Sequence, residues 1–204
     1  MFVAHQLLGK GSFGEVYLVE KVTNKKFYAM KVLQKNKIQN QNLLKYAMAE
    51  RNIMVEMNHQ FVVKLNYSFQ TIDKLFLIMD YCPGGDLSQY LEIEKSFNEA
   101  KAKFYTCEIL LGIEALHSKD IIFRDLKPDN VVLGEDGHAQ LTDFGLSRLG
   151  VNKNNAKSFC GSYAYLAPEM IKKTGHGKAV DWYLLGVVLY EMLVGMPPYY
   201  ADEK

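Results

Sequence analysis

The sequence predicts an α+β protein of two lobes, a small β-rich lobe followed by a helical one. In the first third, many apolar residues are β-branched or aromatic and fall in short runs, which favours strands. Pro83-Gly84-Gly85 then breaks both helix and strand, and beyond it apolar residues recur at helical spacing. We therefore expect a β-rich lobe at residues 1–80, a hinge at 81–85 and a helical lobe at 86–204.

Composition narrows the class of protein. Of 204 residues, 49% are hydrophobic and 23% are charged, which is typical of a globular chain. Lys and Arg number 24 against 23 Asp and Glu, so electrostatics give no reason to expect nucleic acid or a membrane surface as the main partner. Three scattered cysteines suit a reducing compartment, and we expect a cytoplasmic location, with the nucleus as an alternative.

No membrane span is expected. The longest apolar run, Trp182–Tyr190, has nine residues, fewer than the roughly 20 that a spanning helix needs. No basic segment precedes the N-terminal apolar stretch, which argues against a signal peptide.

The first lobe is predicted to combine strands with one main helix. Tyr17–Lys21 and Phe27–Leu33 are expected to be strands, with Thr23-Asn24 as the turn between them. A helix is expected over Gln41–Met57 and another strand over Leu75–Met79.

A glycine-rich segment near the N-terminus is suited to phosphate binding. Gly9, Gly11, Gly14 and Val16 form the pattern G-x-G-x-x-G-x-V, which leaves backbone N–H groups free to approach phosphate oxygens. The pattern alone also fits an ordinary turn or a dinucleotide-binding oxidoreductase. A dinucleotide site needs a helix after the third glycine, whereas a strand is expected after Gly14, so we favour a flap between two strands.

A lysine and a glutamate are predicted to pair. Lys31 lies inside an apolar strand, where it could simply extend to solvent from an edge. On the following helix, Glu50 is the only charge in a stripe of otherwise apolar residues. Because a carboxylate on a buried face must be paired or neutralised, Lys31 is its natural partner.

The second lobe is predicted from two long helical patterns. Over Asn98–Ser118, the apolar residues at helical spacing are Phe104, Cys107, Leu111 and Ala115, with Asn98 or the Ser96-x-x-Glu99 pattern as the cap. The second pattern, Val180–Val194, is apolar on nearly every side and is expected to be a buried helix.

Polar residues gather beside short apolar segments in the second lobe. Arg124–Asn130 lies between two apolar runs, and Asp143 follows another. Carboxylate and amide oxygens suit Mg²⁺ that bridges phosphates. No Cys/His pair has zinc-ligand spacing, and His59, His117, His138 and His176 are interpreted as structural or surface residues.

With these residues in place, the chain resembles the eukaryotic protein kinase family over Leu7–Asp202. Each motif is short, but seven in the family's order leave little room for chance. They are the glycine-rich segment, Tyr28–Lys31, Glu50, Arg124–Asn130, Asp143–Gly145, Ala167–Glu169 and Asp181.

Within the family, the chain is similar to the group of cAMP-dependent protein kinase, protein kinase B and the ribosomal S6 kinases. Ser158–Glu169 reads S-F-C-G-S-Y-A-Y-L-A-P-E, close to that group's T-F-C-G-T-x-E-Y-L-A-P-E, although Ser158 replaces the usual Thr. Tyr190–Asp202 is similar too, while Phe123 stands where this group usually has Tyr. Lys127 resembles the Ser/Thr class of kinases rather than the tyrosine class.

The resemblance implies a two-lobed protein kinase-like fold, with an antiparallel β lobe that carries one main helix and a helical lobe behind it. The family's catalytic domain continues with several more helices, so the helical lobe is expected to be incomplete at Lys204.

The resemblance also implies a kinase that transfers the γ-phosphoryl group of MgATP to serine or threonine. Asp125 would orient the substrate hydroxyl and accept its proton, and Lys127 would neutralise the transferred group. Asn130 and Asp143 would bind Mg²⁺. The expected ATP-binding residues are Leu8, Gly9, Gly11, Gly14, Val16, Ala29, Lys31, Glu50, Met79, Asp80, Cys82 and Val132.

Regulation and substrate choice are also implied. Ser158 would be a regulatory phosphosite, modified by an upstream kinase or by autophosphorylation and bound by Arg124 and Arg148. Protein substrates with Arg or Lys upstream of the target would be recognised by Asp86, Asp129 and Glu191.

Two alternatives to an active kinase remain: a nucleotide-binding pseudokinase that serves as a scaffold, and an inactive fragment of a catalytic domain.

Overall fold

The first lobe is an antiparallel five-stranded sheet with a long helix. The computed structural model describes residues 1–11, 14–38, 41–149 and 163–200. The strands of the lobe are β1 (Phe2–Gly11), β2 (Gly14–Lys21), β3 (Phe27–Gln34), β4 (Leu65–Gln70) and β5 (Lys74–Asp80), and its helices are α1 (Lys35–Ile38) and α2 (Gln41–Glu56).

The sheet is ordered β1-β2-β3-β5-β4, with every neighbouring pair antiparallel. The strands predicted at 17–21, 27–33 and 75–79 lie inside β2, β3 and β5, and the predicted helix agrees with α2 to within one residue. The prediction missed β4, because most of its side chains are exposed and it contains no apolar run.

The second lobe is built on helices, with short strands beside them. Its helices are α3 (Leu87–Glu94), α4 (Glu99–Ser118), α5 (Pro168–Ile171) and α6 (Ala179–Val194). The strands β6 (Ile121–Ile122) and β9 (Arg148–Leu149) pair with each other, as do β7 (Val131–Leu133) and β8 (Ala139–Leu141). This combination of a β lobe and a helical lobe confirms the predicted fold class.

Helix ends follow local sequence signals. The Asn98 side chain accepts a hydrogen bond from the N–H of Lys101, so Asn98 is the N-cap of α4 and one of the two predicted caps is observed. α6 stops at Gly195, whose φ of 90° favours glycine. A Cβ at this position would also lie 2.3 Å from the carbonyl oxygen of Lys95, so the close approach excludes any other residue.

The buried face of α4 differs from the prediction. Phe104, Cys107 and Leu111 are exposed, and the helix instead packs through Ala102, Tyr105, Ile109, Ile113 and Leu116. α4 carries two apolar stripes one position apart, so spacing alone could not decide which of them faces the core.

One apolar core continues from the first lobe into the second. Ile53 and Met57 of α2 belong to the same cluster as Phe144 and as Ile109 of α4. Because both lobes share this core, α2 and the polar segments that follow β6 and β8 are held in a fixed relation.

α6 is buried on one side only among the residues that the structure describes, which corrects the expectation of burial all round. Leu184, Val188 and Met192 are buried, whereas Trp182 and Tyr190 are 40% and 43% exposed. No helix in the described part of the chain is long and apolar enough to span a bilayer.

A histidine and a buried glutamate join α4 to the β7–β8 hairpin. Glu108 is 5% exposed, and its carboxylate contacts Nδ1 of His138 and accepts the N–H of Ala139 at 2.7 Å. The hydrogen bond to Glu108 raises the pKa of His138. The protonated imidazole therefore stabilises this contact, which agrees with the interpretation of His138 as a structural residue.

We expect His138→Gln to destabilise the protein more at pH 6 than at pH 9. Since the pKa of His138 is higher in the folded state, the stabilisation is fully present below the unfolded pKa of about 6.5 and is lost as pH rises through the folded value. Melting temperatures across this range measure the difference. In a Glu108→Gln background the pH dependence should disappear, and an equal loss at both pH values would contradict the assignment.

Candidate active site

A cleft of about 940 Å³ lies between the two lobes. One side is formed by the β1–β2 hairpin and β3, and the other by the segments around β7 and β8. The predicted site residues that line it are Leu8, Gly9, Gly14, Val16, Ala29, Lys31, Glu50, Met79, Asp80, Cys82, Asp86, Asp125, Lys127, Asp129, Asn130, Val132 and Asp143. Residues more than 100 positions apart thus meet in one cavity of a size typical for small-molecule sites.

The glycines at the turn of the β1–β2 hairpin have different physical roles. A Cβ at Gly14 would lie 2.0 Å from the carbonyl oxygen of Val32, so the packing of β2 on β3 requires glycine there. A Cβ at Gly9 would meet nothing within 4 Å, and the space beside it opens into the cleft. The missing side chain therefore leaves room for a ligand to approach the backbone. The turn between the strands, residues 12–13, lies outside the described residues.

Lys31 connects the sheet, α2 and the second lobe. Its Nζ donates hydrogen bonds to Oε1 of Glu50 at 2.7 Å and to Oδ1 of Asp143 at 2.8 Å. The pair of Lys31 and Glu50 was expected from the sequence, whereas the contact with Asp143 was not. Glu50 is 3% exposed, while the Asp143 side chain is half exposed to the cleft.

The charges of Lys31, Glu50 and Asp143 shift one another's pKa values. Burial opposes the charge of Lys31, but the two carboxylates outweigh it and raise the pKa of Lys31 above its usual range. Burial also works against ionised Asp143, yet the Lys31 ammonium lowers the pKa of Asp143 overall. Burial raises the pKa of Glu50, an effect that Lys31 partly offsets. The cleft therefore holds a permanent cation beside an ionised, accessible carboxylate.

Backbone geometry turns Asp143 toward the cleft. Its φ of 61° is in the left-handed region, which Asp tolerates better than most residues. The next residue, Phe144, is fully buried, and its ring lies edge-on to that of Phe123 with centroids 5.4 Å apart. Phe144 belongs to the shared core, so its burial anchors the turn that presents Asp143.

A second polar group lies beyond β6. Asn130 Nδ2 donates to the backbone oxygen of Asp125 at 2.7 Å and to its Oδ2 at 2.9 Å. Lys127 Nζ lies 4.0 Å from the same Oδ2. Burial raises the pKa of Asp125, and the Lys127 charge opposes that rise. The result is a fixed carboxylate that is a better proton acceptor than an exposed one.

A buried aspartate below the cleft holds the backbone that precedes Asp125 in place. Asp181 of α6 is fully buried and accepts the backbone N–H groups of Phe123 at 2.9 Å and Arg124 at 2.8 Å. Its Oδ2 also lies 2.7 Å from Nε2 of His117. Sequence reasoning did not assign these contacts, although a lone Asp in an apolar helix was the available signal.

The apolar end of the cleft adjoins the hinge. This end is lined by Val16, Ala29, Val132 and the buried Met79. The hinge is fixed by hydrogen bonds from Gly84 N to Leu133 O at 3.0 Å and from Leu133 N to Gly85 O at 2.8 Å. Burial raises the pKa of the Cys82 thiol to about 11, so it remains protonated and serves as part of an apolar wall.

The three predicted substrate acids have unequal surroundings. Both carboxylate oxygens of Asp86 accept hydrogen bonds from α3, from Ser88 and Gln89, as the N-cap of that helix. Asp129 lines the cleft. Glu191 lies on α6, and its Oε2 accepts the hydroxyl of Tyr165 at 2.6 Å. Unlike Asp86, Asp129 and Glu191 do not cap one of the α-helices.

The donor set at the base of the cleft fits a hard divalent cation. The nitrogen of the Asn130 side chain is used by Asp125, which leaves Oδ1 as its acceptor, and Asp143 offers carboxylate oxygens. Such oxygen ligands suit Mg²⁺ when phosphate oxygens complete its shell. Among the described residues no group of three or more His, Cys, Asp or Glu could hold a metal, so a nucleotide would have to supply ligands.

Arg124 and Arg148 lie near each other below the cleft. Arg124 is 2% exposed, and its Nε donates to the carbonyl oxygen of Leu146 at 2.7 Å. β6 and β9 pair so that Arg148 is opposite Ile122, two residues before Arg124. Ser158, the predicted phosphosite, lies outside the described residues.

Among the predicted ATP-binding residues, Gly11 is not one of those that line the cleft. It lies at the edge of the turn that is outside the described residues.

Comparisons with known proteins agree with this geometry. The chain is 48% identical over 199 residues to a RAC family serine/threonine-protein kinase homolog of Dictyostelium discoideum, which covers 97% of this chain and 45% of that relative. It is 48% identical over 198 residues to the serine/threonine-protein kinase Sgk1 of Danio rerio, with 96% and 46% covered. It is also 47% identical over 203 residues to the ribosomal protein S6 kinase alpha-1 of Rattus norvegicus, with 98% and 28% covered.

The chain therefore spans less than half the length of these relatives. A family model for the protein kinase domain matches residues 2–204, almost the whole chain. Together with the paired Lys31 and Glu50 at the cleft, this match identifies the chain as a member of the protein kinase family.

Proposed function

We propose that the protein is a serine/threonine kinase that transfers the γ-phosphoryl group of MgATP to a protein hydroxyl. The observation that carries this proposal is the bridge of Lys31 to Glu50 and Asp143, with the fixed Asp125 in the same cleft. A pseudokinase is not favoured, because Lys31, Asp125, Asn130 and Asp143 are all present and line one cavity. A cytoplasmic location, with the nucleus as an alternative, is proposed from the composition alone.

ATP would bind with adenine between Val16 and Val132 and with its phosphates beneath the glycine-rich hairpin. Lys31 would donate to the α- and β-phosphates, with its ammonium kept in position by Glu50. Mg²⁺ held by Asn130 and Asp143 would offset the charge of the phosphate oxygens.

Transfer needs little covalent chemistry from the protein. Asp125 orients the substrate hydroxyl and accepts its proton while the hydroxyl oxygen bonds to the γ-phosphorus and the bond to the ADP oxygen breaks. Lys127 lies 4.0 Å from Asp125 and is placed to neutralise the transferred group. Positioning of the reacting groups therefore provides most of the rate enhancement, and the contacts that fix Asp125 serve this purpose.

Asp125→Asn and Lys31→Met should each reduce phosphotransfer far more than tenfold without unfolding the protein. The first removes the proton acceptor and the second the phosphate ligand. Steady-state kinetics with a peptide substrate measure the rate, and thermal melting checks the fold. Asp136→Asn, in the β7–β8 turn outside the cleft, is the matched control and should keep its activity. If Asp125→Asn retains more than about a tenth of the rate, a loss under roughly 1.4 kcal/mol, the assignment of Asp125 is wrong.

We infer that substrates carry basic residues upstream of the target. Burial raises the pKa of Glu191, the charge of Asp129 adds to the rise, and the Tyr165 hydroxyl opposes it. A substrate guanidinium between the two acids would relieve their repulsion and form bidentate bonds. Asp86 supports this less strongly, because its carboxylate already caps α3.

A peptide array should show a preference for Arg two or three positions before the target residue. Asp129→Arg should weaken that preference and improve phosphorylation of a peptide with Glu in place of the upstream Arg. Asp73→Arg, an exposed change that lies outside the cleft, is the control and should leave the preference unchanged. Equal rates for all upstream residues with the unmodified enzyme would refute the role of the acids.

We also propose that phosphorylation of Ser158, by an upstream kinase or by the protein itself, switches on the enzyme. A phosphate adds about −1.5 to −2 charges and three strong acceptors. Arg124 adjoins Asp125, and Arg148 begins the segment that leads to Ser158. A phosphate bound by both arginines would connect that segment to the backbone of the catalytic residue.

Ser158→Ala should lower activity by well over tenfold, because no phosphate then bridges Arg124 and Arg148. Arg124→Ala and the milder Arg148→Ala should each reduce the response to phosphorylation, while Thr174→Ala, at an exposed position, should not. Activity assays on protein whose phosphorylation is counted by mass spectrometry test this. Full activity of protein shown to be unmodified at Ser158 would refute the switch.

A further inference from the structure

The edge strand β4 contains a bulge close to the hinge. In the pairing of β4 with β5, Leu65 is opposite Met79 and Tyr67 is opposite Ile78, so Asn66 has no residue opposite it. An extra residue of this kind interrupts the regular alternation of side chains and can redirect one of them, and such bulges are frequent beside active sites. The direction of the Asn66 side chain is therefore the feature to explain.

The Asn66 amide binds the last residue of β5. Its Nδ2 donates a hydrogen bond to Oδ1 of Asp80 at 2.9 Å and lies 3.4 Å from the backbone oxygen of Lys64. The backbone N–H of Asp80 donates to the same oxygen of Lys64 at 3.0 Å. The side chain and the backbone of Asp80 are thus both bound to residues 64–66.

A lysine beside β3 also approaches Asp80, but its contribution is small. The Nζ of Lys26 lies 3.7 Å from the same Oδ1, and the Lys26 side chain is 57% exposed. An ion pair this long and this exposed adds little stability. The shorter hydrogen bond from Asn66 is assisted by the charge of the carboxylate, so Asn66 is the main partner of Asp80.

Asp80 lies where the chain leaves the sheet and enters the hinge. Asp80 and Cys82 both line the cleft, whereas Asn66 lies outside that lining. At its other end, the hinge is bound to β7 of the second lobe through Gly84 and Gly85. The hinge is therefore held at both ends, by the second lobe at one and by Asn66 and its neighbours at the other.

We propose that Asn66 is a positioning residue for the nucleotide, because its bond to Asp80 fixes the start of the hinge beside the adenine. The inference rests on the proposed function, which supplies ATP as the ligand. A purine is recognised by polar groups at fixed positions, so a hinge that adopts several positions binds it less tightly. Asn66 acts on the nucleotide only through Asp80.

The expected signature is a loss of nucleotide affinity at an unchanged rate of transfer. In Asn66→Ala only a fraction of the protein has a hinge that fits adenine, and the apparent Kd rises as that fraction falls. The KM for ATP and the Kd values of MgATP and adenosine should rise about threefold to tenfold, the equivalent of one net hydrogen bond. The kcat should stay the same, because the lost interaction is equal in ground and transition states.

The test measures the binding of MgATP and of adenosine by calorimetry, with melting temperatures as the check on folding. Asn66→Asp places two carboxylates side by side and should weaken binding more than Asn66→Ala. The exchanged pair, Asn66→Asp with Asp80→Asn, restores an amide-to-carboxylate bond and should recover most of the affinity. Gln70→Ala is the matched control, because it removes an amide acceptor of Lys35 at the far end of β4, and it should leave affinity unchanged.

Three results would overturn the proposal. They are equal affinity in wild type and Asn66→Ala, an equal loss in Gln70→Ala, and a loss for MgATP that adenosine does not share. If Asn66→Ala does not fold, the exchanged pair decides the question, because an affinity no better than that of Asn66→Asp alone refutes the contact.

Failure of the proposed function would be seen separately. A protein that binds MgATP but transfers no phosphate is not a kinase, yet its affinities still decide the role of Asn66. A wild-type protein that binds neither MgATP nor adenosine would overturn both proposals.

Discussion

Lys31 donates hydrogen bonds to two carboxylates that come from distant parts of the chain, Glu50 on α2 and Asp143 after β8. Burying the charges of Lys31 and Glu50 is unfavourable unless each one compensates the other. Glu50 can remain on the buried face of α2 only with the ammonium beside it, and Asp143 owes its lowered pKa to the same ammonium. Lys31 thus joins the sheet, α2 and the second lobe at the cleft.

A second buried carboxylate fixes the backbone that leads to Asp125. Asp181 accepts two consecutive backbone N–H groups, from Phe123 and Arg124, where Arg124 has a φ of 71°. Such a conformation is unfavourable for a side chain of this size, so it persists only where neighbouring contacts enforce it. Asp125 follows directly, and its position is thus fixed by a residue of α6 that never reaches the cleft.

These two contacts explain why the chemistry is concentrated at the lobe boundary. The first lobe contributes a cation and a hairpin with space beside Gly9, and the second contributes fixed oxygen atoms and Asp125. The apolar core that runs from Ile53 to Phe144 prevents the two sets from drifting apart. Preorganisation of this kind suits phosphoryl transfer, where alignment and charge compensation provide most of the rate.

The strands β2, β3 and β5, the helix α2, the glycine hairpin and the pairing of Lys31 with Glu50 could be predicted from the sequence, because each depends on residues close together in the chain or on a charge in an apolar stripe. Other features depended on distant contacts. His117 and His138 looked isolated, since their partners Asp181 and Glu108 lie 64 and 30 positions away. The buried stripe of α4 was predicted wrongly because two adjacent stripes are apolar and only packing selects between them.

The sequence by itself determined which chemical groups the protein has and in which local elements they occur. Tertiary structure alone decided which distant groups meet, because a contact between residues far apart in the chain depends on packing across the whole fold, which local spacing does not encode.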